Sequence, residues 1–237
     1  MNSGSARKGE VSASAVGVAG SARESVADLF KRDFWIRENR KHAQAYYRLQ
    51  KSAKVINSVV GGKECDLLDV GCGPATLMRL LRPNIHYYGL DIAIHAQAPN
   101  LIEADILEQP IRFADRRFDI VSAFGLFEYV GACQDQKFSE IAQILHERGR
   151  FVLTYTNFGH WDRRIFKAYS NVQSFDEFRR SLARHFVIDS YFPTSYNWHG
   201  CQPGRAPVRA LNMHVNANIP LVGRRLAVEY FFVCSRR

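Results

Sequence analysis

The stretch Leu67–Leu81, "LLDVGCGPATLMRLL", sets an apolar run, one carboxylate and two closely spaced glycines directly before an amphipathic segment. A turn joining a strand to a helix presents free backbone N–H groups and the positive end of the helix dipole. Glycine there lets a ligand approach the backbone closely. A dinucleotide turn would space its glycines as G-x-G-x-x-G, or end them with alanine. Here Gly71 and Gly73 are followed by Thr76 at the third position, so the nicotinamide fingerprint fails. The phosphate-binding loop fails too, because no Gly-Lys-Ser/Thr follows.

Outward from this turn, short apolar runs alternate with helical or loop segments. "CDLLDV", "HYYGL", "NLIEA", "FDIVSAF" and "RFVLTY" read as five strands, and "FVIDSYF" and "LAVEYFFVC" as two more. Strands of this length at helix-sized intervals imply a parallel sheet covered on both faces. "FSEIAQILHER" is expected as the helix before the fifth strand. "SFDEFRRSLARHF" opens on a Ser174 cap with an acidic first turn and a basic end. Upstream, Tyr46, Leu49, Ala53, Ile56 and Val60 recur at spacings of three and four until Gly61 and Gly62 stop them. Asp33 or an earlier polar residue is expected to divide a short leading helix from this longer one. Residues 1–24, rich in Ser, Ala and Gly without an apolar face, read as a disordered tail. The organisation is then tail 1–24, N-terminal helical segment 25–62, and one α/β domain 63–237.

The pattern Asp69, Gly71, Gly73, Ala75 resembles the first motif of class I S-adenosylmethionine-dependent methyltransferases, with Ala75 where many members have a third glycine. Later positions match in order. Asp91 ends the second strand where the family's acid accepts from the ribose hydroxyls. Asp105, with Ile106 beside it, stands at the position facing the adenine amino group. "RFDIVSAFGLFEYV" looks like the fourth motif, ending near the cofactor at Phe124 and Gly125, and "HERGRFVLTY" resembles the turn and strand that follow. The resemblance covers about Asp66 to Asn157 well. It implies a doubly wound, Rossmann-like sheet of seven mostly parallel strands with an antiparallel last strand, N-terminal helices and a C-terminal cap insertion. It also implies S-adenosylmethionine as cofactor, with Asp69 near its amino-acid end.

The net charge of +9 is unevenly placed: +6 over residues 1–60, −4 over 61–157 and +7 over 158–237. Basic flanks around an acidic centre suit an anionic substrate, nucleic acid or a phosphorylated metabolite, or simply an arginine-rich solvated surface. Five dispersed cysteines with no C-x-x-C pair give no metal site and read as reduced, mostly buried thiols. No apolar run approaches the roughly 20 residues of a membrane-spanning helix, so a soluble, cytoplasmic protein is expected.

Ligands of such sheets bind outside the carboxyl ends of the strands, so the loops after the fourth, fifth and sixth strands should build the acceptor site. About 30 residues, 193–224, separate the last two strands, too long for an idle connection. They carry Tyr196, Trp198, His199 and His214, which would serve either as a lid over the substrate or as a structural or dimer contact. The candidate general bases are His160, His199 and His214, with Tyr129 and Glu128 near the end of the fourth strand; many relatives have histidine where this chain has Tyr129. The expected function is in-line methyl transfer to a small or medium-sized metabolite, anionic ones included. The alternatives are an RNA or other nucleic-acid methyltransferase, and a cofactor-binding protein without catalysis.

Overall fold

In the computed structural model, which describes residues 32–39, 43, 47–94, 98–157, 173–197, 212–213 and 227–237, the apolar run at the glycine turn is strand β1 (Cys65–Val70). It pairs in parallel with β2 (Ile85–Asp91) and β4 (Phe118–Ala123). β3 (Leu101–Glu103) joins β2, and β5 (Leu145–Thr156) joins β4, all in parallel. β8 (Ala227–Arg236) runs antiparallel between β5 and β6 (Phe186–Asn197), giving the order β3-β2-β1-β4-β5-β8-β6-β7. The expected seven strands with an antiparallel last member are all present. A two-residue eighth, β7 (Asn212–Met213), comes from the long connection and pairs with Tyr196 and Asn197.

Period-two alternation divides the core. In β1, Leu68 and Val70 point to one side of the sheet, and Cys65 and Leu67 to the other. The first side is aromatic: Phe127 stacks on Phe138 with ring centroids 4.6 Å apart, and Tyr155 lies against Phe178 at 3.7 Å. These rings join the sheet to α3 (Gln134–Ile144) and α4 (Phe175–His185). On the other side Ala53 and Ile56 of α2 (Tyr47–Val60) pack with Leu77, Tyr87, Ile120 and Phe231. The stripe read from the spacing of α2 therefore does cover the sheet. Ser174 caps α4 in a reciprocal capping box with Glu177.

Three expectations need correction. The glycine turn leads not into an α-helix but into five residues of 3-10 helix, Thr76–Leu80; only 14 residues separate β1 from β2, and α2 covers the face instead. Among the described residues, the crossovers from β2 to β3 and from β3 to β4 also lack α-helices. The helix expected to run through Arg148 ends at Ile144. Leu145 already pairs with Phe118, and the ladder resumes only at Ile120 and Arg150, leaving His146–Gly149 as a bulge. Gly149 is needed there, because a Cβ would lie 3.0 Å from the His146 carbonyl and 3.1 Å from that of Phe118. Finally, α1 (Arg32–Asn39) carries Asp33 in its first turn, so Asp33 opens a helix rather than ending one; the earlier polar residues lie outside the described residues. The tail 1–24 lies outside the described residues, as does most of 193–224.

Candidate functional site

β1, β2 and β4 end along one edge, and a cavity of about 260 Å³ opens there. Asp69, Gly71, Gly73, Asp91, Asp105, Ile106, Phe124 and Tyr129, all singled out from sequence, line it together. Ala75 does not. It holds a left-handed φ of +54° behind the turn, where a glycine would carry no Cβ penalty.

Asp69, near the end of β1, is 3% exposed. Its Oδ1 accepts from Ser122 Oγ of β4 at 2.7 Å and its Oδ2 from Tyr87 Oη of β2 at 2.9 Å. Burial pushes its pKa up to about 7, although both hydroxyls act to lower it. Tyr87, buried beside this carboxylate, is held well above its ordinary value, mainly by desolvation. Cys72 lies between the two glycines; burial first, then Asp69 and Asp91, keep its thiol protonated.

Asp91 ties the turn to β2. Its Oδ2 accepts from Gly73 N and its Oδ1 from Ala93 N, both at 2.8 Å. These two bonds orient the carboxylate toward the cavity that it lines. Gly71 and Gly73 adopt φ of +76° and +54°. A Cβ on Gly71 would come within 3.1 Å of Leu126 Cδ1, so the cavity floor there is bare backbone. Asp105 Oδ1 accepts from Leu107 N at 2.8 Å, and its carbonyl accepts from Glu108 N and Gln109 N, which turns the chain at the cavity rim. Phe124 is braced by Phe231, ring centroids 5.5 Å apart.

The remaining wall includes Trp35 and Arg48, which no sequence motif placed there. Trp35 of α1 meets Tyr129 edge to face at 5.2 Å, and α1 is also held by Arg32, whose guanidinium bonds Glu103 at 2.7 and 3.1 Å. Arg48 and Leu49 of α2 line the cavity as well. Behind them Glu128, 3% exposed, accepts at Oε1 from Thr156 N at 2.9 Å and Thr156 Oγ1 at 2.8 Å, while its Oε2 has no hydrogen-bond partner. Burial raises its pKa, with Arg48 the largest opposing influence. Glu128 is among the candidate bases read from the sequence; for Glu229, a lone acid inside the apolar run "LAVEYFFVC" was the available signal, since such acids are rarely buried without a partner. No comparable signal marked Trp35 or Arg48. His160, Trp198, His199 and His214 lie outside the described residues, as does the side chain of Tyr196. Among the described residues no cluster suits a metal ion, and no helix is long and apolar enough to cross a membrane.

A family model described as a methyltransferase domain matches residues 22–194. The chain is similar to a malonyl-[acyl-carrier protein] O-methyltransferase of Calditerrivibrio nitroreducens, 25% identical over 157 residues. That match spans 61% of this chain and 61% of the relative, less than two thirds of its length. Among solved structures, a S-adenosylmethionine-dependent methyltransferase from Clostridium acetobutylicum superposes with a TM-score of 0.56 at 12% identity, over 82% of this chain and 94% of that one. The N-methyltransferase NodS of Bradyrhizobium japonicum, in complex with S-adenosyl-L-homocysteine, superposes with a TM-score of 0.53 at 11% identity, over 92% and 97%.

Proposed function

The chain belongs to the methyltransferase-domain family as a class I S-adenosylmethionine-dependent member, and on that premise we propose that it transfers a methyl group to a small or medium-sized metabolite, with anionic metabolites the first class to test. The observation that carries this reading is one cavity in which acids from the ends of β1 and β2 and from the loop after β3 face a floor of bare glycine backbone. Gly71 and Gly73 admit the amino-acid and ribose portions of the cofactor, Asp69 faces its cationic end, and Asp91 receives the ribose hydroxyls. Asp105 and Ile106 border the adenine, and Phe124 closes the wall.

The bound cofactor supplies a methyl group already activated on a sulfonium, so alignment is what the protein must add. Ser122 and Tyr87 hold Asp69 from two neighbouring strands, which fixes its carboxylate without a second charge. Gly73 N and Ala93 N fix Asp91 in the same way. Tyr129, at the cavity wall, is the candidate best placed to take the acceptor's proton, with Glu128, His160, His199 and His214 the other candidates. Among the described residues the lining holds three carboxylates and one cation, Arg48, a balance unsuited to tracking a phosphate backbone.

The test is incubation of the full-length protein with methyl-labelled cofactor and fractionated cell extract. Label should appear in the low-molecular-weight fraction and persist at 0.2 M salt. Label confined to RNA or DNA, lost steeply with added salt, would overturn the proposal.

A further inference from the structure

We infer that Arg48 is the carboxylate receptor of this cavity, binding either the carboxylate of the cofactor's amino-acid end or that of the acceptor; the inference deepens the function proposed above and rests on it. Among the described residues Arg48 is the one Lys or Arg that lines the cavity, in a lining that includes Asp69, Asp91 and Asp105. Those acids complement the cationic and hydroxyl groups of a S-adenosyl amino acid and repel its carboxylate, which leaves Arg48 as its counter-charge. An anionic acceptor entering the same cavity meets the same restriction.

The guanidinium is built in rather than draped over the surface. Arg48 stands at the second position of α2, and its carbonyl accepts from Ser52 Oγ at 2.8 Å. Its side chain is 32% exposed, and one amino group (NH2) lies 2.8 Å from Oε1 of the buried Glu229 on β8. The other (NH1) crosses the backbone at Gly125, where a Cβ would stand 2.6 Å away. Gly125 itself is fixed, with φ of +67° and its N–H donating to Thr154 Oγ1 at 2.9 Å. Three elements thus hold the cation at the end of β4, beside the cavity. A guanidinium presents five donors in a rigid planar fork, the geometry that matches a planar carboxylate.

Two variants of the full-length chain test this: Arg48→Met, which keeps the stem, and Arg48→Met with Glu229→Gln, which removes both charges of the ion pair and so does not leave Glu229 without its counter-ion. Circular dichroism and thermal melting identify which is folded. Calorimetry then compares S-adenosylhomocysteine with methylthioadenosine, which has the same nucleoside but no amino-acid end, and separately titrates malonate with and without S-adenosylhomocysteine. If the receptor serves the cofactor, the folded variant loses about 10- to 100-fold in S-adenosylhomocysteine affinity, as for loss of a charge-assisted bond, and binds methylthioadenosine as before. If it serves the acceptor, both nucleosides bind unchanged and wild-type malonate binding disappears. Equal losses for both nucleosides, or no change for any probe, overturn the inference. If the wild type binds neither nucleoside, the cofactor assignment is what fails, and malonate alone decides the role of Arg48: binding lost in the variant upholds it, and binding absent or unchanged overturns it.

Discussion

Binding of S-adenosylhomocysteine should release a proton near neutral pH, and Asp69 is where that proton comes from. The groups around this carboxyl are Tyr87 Oη, Ser122 Oγ, the Cys72 thiol and the Asp91 carboxylate; none supplies a positive charge. The unliganded protein therefore holds it half-protonated at about pH 7. An ammonium group bound against it requires the ionised form. With a free-state pKa of about 7 and a much lower one in the complex, affinity is proportional to the ionised fraction, which is about 0.9 at pH 8 and about 0.09 at pH 6. Affinity should thus fall about tenfold from pH 8 to pH 6, equal to about 1.4 kcal/mol. About half a proton should be released per complex at pH 7. Calorimetry in two buffers of different ionisation enthalpy reads that number directly, and Asp69→Asn should bind weakly with no such release. The unliganded protein has the opposite dependence. A raised folded-state pKa contributes stability that is full below about pH 4 and is lost as pH rises through about 7, so ligand-induced stabilisation should grow over the same interval. A pH-independent affinity between 6 and 8, or proton release that survives Asp69→Asn, would refute the reasoning.

Asp91→Ala should weaken S-adenosylhomocysteine by about 1.5 to 3 kcal/mol in a protein that remains folded; unchanged calorimetric affinity would remove Asp91 from the site. Gly125→Ala forces a left-handed alanine, at about 1–2 kcal/mol, and displaces the Arg48 guanidinium. Its melting temperature should drop by roughly 2–8 °C, and its ligand affinities should move toward those of Arg48→Met. Ser174→Ala removes the α4 cap at a cost of about 1 kcal/mol, seen as a melting temperature lower by roughly 2–4 °C with ligand affinity unaltered.

The strand-end acids were legible because strand period and glycine spacing are local properties. Once β1 and β2 pair in register, with Asp69 opposite Gly89 and Val70 opposite Leu90, residues at their ends are forced onto one edge. The long-range half of the site had no such local mark. Arg48 and Glu229 are 181 positions apart and meet only because β8 lies next to β5, with Glu229 opposite Thr156. Trp35 sits in a helix whose other residues are largely polar, so no apolar stripe pointed it inward. The missing α-helix after the glycine turn follows from a short crossover combined with an upstream helix that already fills the face. Periodicity inside Thr76–Leu81 does not carry that information.

The insertion of β8 between β5 and β6 also constrains the order of events during folding. β1 through β5 can zip together in sequence, since each finds its partner among strands already made. β6 has no edge to join until β8, some 30 residues later, has docked on β5. Closing such distant pairings is slow, so an early species with five parallel strands and an open β5 edge is expected during refolding. That species would hold Asp69 and Asp91 in place while the wall around Arg48 still lacked Glu229. Ligand binding that requires Arg48 should therefore appear only in the last kinetic phase, after the nucleoside floor is complete.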